Sequence, residues 1–352
     1  MGEKLLMSGN EVIAEAAIRA GCRFYFGYPI TPQTEIAHYL AKRMPEAGGT
    51  FLQAESEIAA INMVYGASAA GARAMTSSSS PGISLKQECI SYLAGAELPA
   101  VIVNIVRCGP GLGGILPAQC DYFQAVKGGG HGDYKMVVLA PCSVQELYEL
   151  TVEAFNIADR YRVTVMIMGD GILGQMMEIV EFRDEEEIFN ADKSWALTGT
   201  GMKRENNFIT SIYINPEVLE AHNRKLQQKY REIERNECRV EVYNCENADV
   251  IVAAFGTVAR IVKNVIKQAE REGIKVGLIR PITLWPFPNE AFLKYAQVPR
   301  AFLTVELNAG QMLEDVKLAL NGANKTYFYG RMGGMIPAQK EILDEIKKIM
   351  EK

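Results

Sequence analysis

Three stretches of this sequence place reactive side chains where a small anionic ligand could be held. In Gly27-Tyr28-Pro29-Ile30-Thr31-Pro32, a hydroxyl precedes a proline at the expected start of a helix. Unpaired N–H groups at such a start favour a carboxylate or a phosphate. The same residues serve equally as a helix cap without a ligand, since proline loses nothing at the first helical position. Glu55 and Glu57 open the next expected helix, and acids in a first turn offset the helix dipole whether or not they do chemistry. Arg107 ends an apolar strand and faces a glycine-rich loop, so a rigid fork of donors stands where strand ends and ligands meet.

Three glycine-rich stretches invite a nucleotide reading, and the surroundings of each weaken it. Gly109, Gly111 and Gly114 have the G-x-G-x-x-G spacing of a dinucleotide-binding turn. Pro110 occupies that turn, however, and Pro117 interrupts the helix that would receive the phosphate. Gly169-Asp170-Gly171 imitates the start of a magnesium–diphosphate motif, but the Asn206-Asn207 pair that would complete the metal shell lies too far along. The triplet reads more simply as a turn at the end of a strand. Gly128-Gly129-Gly130-His131-Gly132 is a flexible loop with one of three histidines; such a lone histidine more often meets solvent or a structural hydrogen bond than a substrate.

The elements that must position these residues alternate along the chain. Ser8 and Glu11 form a capping box that opens a helix, and Gly21 closes it. Strands are expected at 24–27, 50–54, 73–77, 100–106, 136–140 and 163–168, with helices at 55–70, 83–96 and 143–158 between them, the last opened by a second box at Ser143 and Glu146. This rhythm predicts a parallel sheet covered by helices on both faces. After Asp170 it breaks. An acidic patch, Asp184 to Glu187, precedes irregular sequence and a charged helix from Pro216 to Glu237, an excursion packed over a domain or a linker. Alternation resumes with a strand at 249–255, a helix at 258–271, strands at 275–279 and 301–306, and a terminal helix opened by Ile336-Pro337.

Composition sets the limits. At 352 residues, 48% of them hydrophobic and 22% charged, the chain is long enough for a large core and two domains. A formal charge of −5 gives no basic field for nucleic acid. No apolar stretch reaches the roughly 18 residues of a membrane span, and no signal-peptide pattern opens the sequence. A cytoplasmic location follows, with small molecules and other proteins as partners, no nucleic acid and no membrane. Cys22, Cys89, Cys108, Cys120, Cys142, Cys238 and Cys245 include no pair with the two-residue gap that clasps a metal or cluster. They are expected to be free thiols, and no metal ligand is expected.

On these residues the sequence resembles a known family. The strings GYPITPQTE and QAESEIAAINMVYGASAAGARAMTSSSSPG, the arginine within NIVRCGPGLGG, and RPITLWPFP near the end are similar, in that order, to the α-type subunit of the 2-oxoacid:ferredoxin oxidoreductases. The branched-chain type, which acts on 2-oxoisovalerate (3-methyl-2-oxobutanoate), is the nearest in look, and the 2-oxoglutarate type is next. The resemblance implies an α/β fold. Residues 1–190 would form a doubly wound parallel-sheet domain that binds the pyrimidine of thiamine diphosphate, 191–245 a linker or excursion with the charged helix, and 246–352 a smaller transketolase-C-terminal-like α/β domain.

It also implies roles. Thr31 and Arg107 would bond the substrate carboxylate, Glu57 the N1′ atom of the aminopyrimidine, and Tyr28 and Pro29 would pack against the cofactor ring, with Ser78 and Ser80 near the same cleft. Thiamine diphosphate would be shared with a β subunit that holds Mg2+, the diphosphate and a [4Fe-4S] cluster. A γ subunit and a ferredoxin-like δ subunit would supply the remaining surface. Further iron–sulfur clusters and the coenzyme A site are thus expected on partners, ferredoxin would take the electrons, and the chain alone would be inert.

The residue types suit that chemistry. Decarboxylating a 2-oxoacid leaves negative charge on a carbon that ordinary side chains cannot delocalise, so an organic cofactor must be the electron sink. A glutamate in an apolar cleft suits a proton shared with a ring nitrogen, because desolvation favours its protonated form. A hydroxyl and a bidentate guanidinium neutralise and orient a carboxylate. Other readings stay open: 2-oxoglutarate or another 2-oxoacid as substrate, a nicotinamide-dependent dehydrogenase built on GPGLGG, and a non-catalytic scaffold subunit, the last favoured if Glu57, Thr31 and Arg107 lie on different faces.

Overall fold

The computed structural model describes residues 3–184 and 186–351. Glu185, the second residue of the expected acidic patch, and the terminal Met1, Gly2 and Lys352 lie outside the described residues. The first half of the chain forms β1 (Lys4–Ser8), β2 (Phe24–Gly27), β3 (Thr50–Gln53), β4 (Ala74–Ser78), β5 (Ala100–Val106), β6 (Val137–Leu139), β7 (Thr164–Asp170) and β8 (Met177–Glu181). The second half adds β9 (Val240–Tyr243), β10 (Val250–Ala253), β11 (Val276–Pro281), β12 (Thr283–Trp285), β13 (Ala301–Glu306) and β14 (Thr326–Gly330). Every residue of β5 and β7 is buried, as their continuous apolar runs require in a parallel sheet covered on both faces.

Seven strands form one sheet in the order β12-β6-β7-β5-β4-β2-β3, parallel except for β12. Five form the second in the order β14-β13-β10-β11-β9, parallel except for β9. A separate antiparallel ribbon pairs β1 with β8. Because β3 and β4 flank β2 on opposite sides, strand order reverses at β2, and the loops after β2 and β4 border the crevice where doubly wound sheets bind ligands. Neither β12 nor the ribbon was expected, and β12 crosses from the second half of the chain to close an edge of the first sheet.

Local signals account for some helix ends. Ser8 and Glu11 form the expected capping box, and Gly21 follows with φ +78°. The second expected box is only half formed. Ser143 Oγ accepts from the Glu146 N–H, but the Glu146 carboxylate accepts from Cys142 N–H at 2.8 Å and from the buried Arg280 at 2.7 and 3.0 Å. The stronger charged partner draws it away from the cap. The expected helix start at Thr31-Pro32 is also corrected. The helix spans Thr34–Glu46 behind Gln33, and residues 30–33 form a turn in which Gln33 N–H donates to Ile30 O at 3.2 Å across a cis Thr31-Pro32 bond. A hydroxyl-proline pair signals a turn as readily as a helix start.

The charged helix, Pro216–Asn236, lies over the first sheet's domain with Leu226, Tyr230 and Ile233 buried beneath it and Lys225 and Lys229 paired with Glu97. No helix among the described residues is long and apolar enough to cross a membrane. A polar seam joins the two halves. Gln119 N–H donates to Leu307 O and Leu307 N–H to Gln119 Oε1, both at 3.0 Å, while Asn308 Nδ2 donates to Gln119 O at 2.9 Å. Behind the seam Glu306 is wholly buried, accepting from Met312 N–H at 2.8 Å and Leu313 N–H at 3.0 Å at the start of the helix Gln311–Leu320. Burial pushes its carboxyl up to about 7, against the pull of those donors.

Candidate functional site

Every site residue expected from the sequence lies at the C-terminal end of one of four neighbouring strands, β2, β3, β4 or β5, or on the connection that follows it. Tyr28, Pro29 and Thr31 stand exposed on the loop after β2. A buried polar chain holds that loop to the sheet: the Tyr25 hydroxyl lies 2.6 Å from Ser77 Oγ, Ser77 Oγ donates to Gln33 Oε1 at 2.5 Å, and Gln33 Nε2 donates to the Tyr28 carbonyl at 3.4 Å. Short bonds in a dry interior fix the loop while leaving its outer face free.

Glu57 is the first residue of the helix Glu57–Ala69, which Ser56 caps by accepting from Ala59 N–H at 3.1 Å. It is 6% exposed. Its carboxylate faces Gly82, where an added Cβ would lie 2.7 Å from Glu57 Oε1 and 2.1 Å from Ser78 Oγ. The absent side chain lets the acid and the hydroxyl pack directly against the main chain of Gly82. Ser78 Oγ and Ser79 Oγ are buried with no protein partner, and such atoms cost about 1–3 kcal/mol each until something pairs them.

Arg107 is 7% exposed. Its Nη1 donates to Thr31 O at 3.1 Å and its Nη2 to Leu112 O at 3.3 Å, while Nε is buried and unpaired. Among the described residues no carboxylate lies within ion-pair distance of it. Ser80 locks the Arg107 main chain, accepting from Arg107 N–H and donating to Arg107 O, both at 3.1 Å. Thr31, Ser80 and Arg107 thus form one group and Glu57 and Ser78 another, joined through Ser79. The contact from Thr31 to Arg107 is made by its carbonyl. With both groups on one rim of the sheet, the condition that favoured a scaffold is not met.

Several functional neighbours were missed in the sequence. Lys86, wholly buried on the helix Pro81–Gly95, donates to the Glu57 carbonyl at 3.2 Å and to Thr76 Oγ1 at 3.1 Å. Asn104 accepts from Ser80 N–H at 3.2 Å and donates to Asp121 Oδ2 at 2.9 Å, and burial pushes the Asp121 carboxyl upward. A lone Asn inside the apolar strand AVIVNIV was the available signal. A cleft of about 680 Å³ opens beside Ser80 between the two halves, lined among others by Cys108, Asp121, Asn308 and Gln311. A wider groove of about 1500 Å³ beside Trp285 and Pro286 lies away from these residues.

Two of the three glycine-rich stretches resolve as loops, and the third ends a strand and opens a short helix. After Arg107 the chain turns through a cis Gly109-Pro110 bond and returns to bridge Arg107 with Pro117, and the next helix starts only at Tyr122. No helix N-terminus receives a phosphate there, which removes the basis of the dehydrogenase reading. Where a turn was expected, Asp170 is the last residue of β7 and caps the short helix Gly171–Gln175, accepting from Ile172 and Leu173 N–H at 2.9 and 3.1 Å. The His131 ring lies edge-on to Tyr92, and its carbonyl accepts from Ser91 Oγ at 2.6 Å. The seven cysteines are free. Burial pushes Cys22 and Cys89 up to about 12 and Cys120, Cys142 and Cys245 up to about 11, which keeps these thiols protonated and unreactive.

Comparison with known proteins adds a family to this geometry. The family described as pyruvate flavodoxin/ferredoxin oxidoreductase, thiamine diphosphate-binding, matches residues 15–241, and pyruvate:ferredoxin oxidoreductase core domain II matches residues 248–342. The chain is 50% identical over 344 residues to the ketoisovalerate oxidoreductase subunit VorB of Methanothermobacter marburgensis, covering 98% of this chain and 97% of that one. It is 36% identical over 379 residues to the 2-oxoglutarate synthase subunit KorA of Methanothermobacter thermautotrophicus, covering 99% and 100%. Among solved structures, 2-oxoglutarate:ferredoxin oxidoreductase from Magnetococcus marinus, with 2-oxoglutarate, coenzyme A and succinyl-CoA bound, superimposes with a TM-score of 0.90 at 28% identity. That match covers 99% of this chain and 66% of the longer one, so this chain spans a little under two thirds of it. A split-gene transketolase shares the fold, with a TM-score of 0.61 at 14% identity over 98% of both chains.

Proposed function

This chain belongs to the pyruvate flavodoxin/ferredoxin oxidoreductase family, and on that premise we propose that it is a subunit of a 2-oxoacid:ferredoxin oxidoreductase acting on ketoisovalerate. The reaction is the thiamine-dependent oxidative decarboxylation of a branched-chain 2-oxoacid to acyl-CoA and CO2, with reduction of ferredoxin. One observation carries the substrate: 50% identity to a ketoisovalerate oxidoreductase subunit over nearly the whole chain, against 36% to a 2-oxoglutarate synthase subunit.

The residues fit the pyrimidine half of thiamine diphosphate. Glu57 Oε1 and Ser78 Oγ converge at Gly82, the Ser78 and Ser79 hydroxyls are buried without partners among the described residues, and Tyr28 and Pro29 stand exposed on the loop after β2. Thiamine diphosphate supplies the carbon nucleophile and the electron sink when bound. Glu57 would hold the proton at N1′. Arg107 would take the substrate carboxylate beside Thr31, because its fork is fixed by two neutral carbonyls and its charge has no counter-ion. Once CO2 departs, the anionic group that Arg107 binds is gone, so the site does not retain product through it.

In the same reading, residues 1–190 form the pyrimidine-binding unit, 191–245 the excursion and 246–352 the transketolase-C-terminal-like unit. A β subunit contributes Mg2+, the diphosphate site and a [4Fe-4S] cluster, with γ and δ subunits, coenzyme A and ferredoxin completing a cytoplasmic enzyme. Exposed Leu112, Ile115, Leu116, Met332 and Met335 near Arg107 and the interdomain cleft support closure of the site by another chain.

The test is a substrate panel on the reconstituted complex, following ferredoxin reduction with 2-oxoisovalerate, 2-oxoglutarate and pyruvate. The branched acid should give the highest kcat/KM, and a preference for 2-oxoglutarate would overturn the substrate assignment. Glu57→Gln should abolish turnover while the complex still assembles; full activity in that variant would remove Glu57 from the chemistry.

A further inference from the structure

The wall behind Glu57 holds a charge that the reaction scheme does not use. Lys86 is wholly buried, yet among the described residues its ammonium meets only two neutral acceptors, the Glu57 carbonyl at 3.2 Å and Thr76 Oγ1 at 3.1 Å. Burial lowers its pKa to about 8, and the charge of Glu57 is the leading effect that opposes the fall. An apolar side chain of similar volume would avoid that desolvation entirely. Buried charges retained beside a ligand site are candidates for function.

The geometry says what this one acts on. Lys86 stands one helical turn beyond Gly82, so both lie on the same face of the helix Pro81–Gly95. Gly82 lets the Glu57 carboxylate approach this helix closely, and Lys86 grips the main chain of the same residue. Its two hydrogen bonds reach the start of the helix Glu57–Ala69 and the strand β4, which with its own helix are the elements that meet at Gly82. From the first of these the facing charged group is Glu57, from β4 the facing group is the neutral Thr76, and from its own helix it is Cys89. The Cys89 thiol is pushed up to about 12 by burial and is therefore uncharged at neutral pH.

We propose that Lys86 is a positioning residue for Glu57, pinning the main chain that carries it and setting a fixed positive charge behind the side chain that would meet N1′. This rests on the role given to Glu57 above. A cation fixed behind a carboxylate in a medium of low dielectric constant interacts with its charge without touching the ligand.

The experiment uses the reconstituted complex with Lys86→Met, which removes charge and donor, and Lys86→Gln, which removes the charge and keeps a donor. Binding of thiamine diphosphate without substrate, followed by calorimetry across pH, is the first readout, and the acid limb of kcat/KM is the second. Both variants should bind the cofactor about tenfold more weakly near neutrality, with the acid-side midpoint of binding and of kcat/KM raised by about one pH unit. Wild-type midpoints, or weaker binding by the same factor at every pH, would overturn the proposal. Failure of both variants to fold would assign Lys86 to the fold and overturn it as well. If Glu57→Gln binds the cofactor and turns over normally, the role of Glu57 itself fails. That result differs from an impaired Glu57→Gln beside Lys86 variants with unmoved midpoints, which sinks only the part given to Lys86.

Discussion

The Nη1 atom of Arg107 lies 3.1 Å from the main-chain carbonyl of Thr31, tying together two loops 76 residues apart in sequence. The Leu112 carbonyl holds the other arm. A guanidinium fixed by neutral acceptors keeps its charge for an incoming anion, and the direction of its fork is set before the anion arrives.

Arg107→Lys should therefore raise the KM for the 2-oxoacid and lower kcat. A lysine keeps the charge but cannot satisfy two carbonyls and a carboxylate in one plane, and kcat/KM should fall about 10- to 100-fold. Steady-state reduction of ferredoxin by the reconstituted complex measures this. Unaltered kinetics would take Arg107 out of the carboxylate site.

Gly82→Ala probes the close packing around Glu57. The new Cβ would meet Ser78 Oγ at 2.1 Å and Glu57 Oε1 at 2.7 Å, so both side chains must turn aside. The overpacking should cost about 1–3 kcal/mol of stability, and thiamine diphosphate binding should weaken at least tenfold, measured by calorimetry on the complex. Normal cofactor affinity would place the pyrimidine elsewhere.

Glu306 gives a pH signature. Its carboxyl sits at about 7 in the folded chain against a usual 4.5, so the folded state holds a proton that the unfolded state releases. The stability this group contributes is complete below about pH 4.5 and is lost as pH rises through about 7. Glu306→Gln keeps an acceptor for one of the Met312 and Leu313 N–H groups, which bond to separate oxygens of the acid, and does not titrate. The stability of the wild type relative to this variant should fall by about 3 kcal/mol between those pH values, as read from paired denaturant melts. Parallel curves would mean that the acid does not titrate in this window.

Lys86 gives the opposite trend in an alkaline window. Its folded value of about 8 lies below the usual 10.5, so between the two the unfolded chain binds a proton that the folded chain has shed. Stability rises with pH across that interval. The melting temperature of the wild type should gain on that of Lys86→Met from pH 8 to 10.5, and a constant difference would show that the ammonium is not desolvated.

How far the residues announce this architecture depends on what decides each element. Ala100–Val106 matches its strand to the residue, because burial on both faces writes an uninterrupted apolar run. Thr283–Trp285 has no such run, and its strand exists because Leu139 and Val138 are there to pair with it. The same division holds in the site. Arg107 follows a strand and Glu57 opens a helix, positions that local patterning locates, and Thr31 lies on the same rim although its helix start was misplaced. Lys86 and Asn104 are single polar residues within apolar segments, and their importance comes from neighbours that only the folded chain brings to them.

The antiparallel strand β12 carries an implication for how this polypeptide can be divided. It lies beyond the first parallel strands of the smaller sheet, yet it guards the open side of β6 in the larger one. Proteolysis between the halves would not yield two self-sufficient modules. The N-terminal fragment would meet solvent along a bare row of amide and carbonyl groups, ready to recruit a foreign strand, so the two halves are bound to be made, and kept, as one piece.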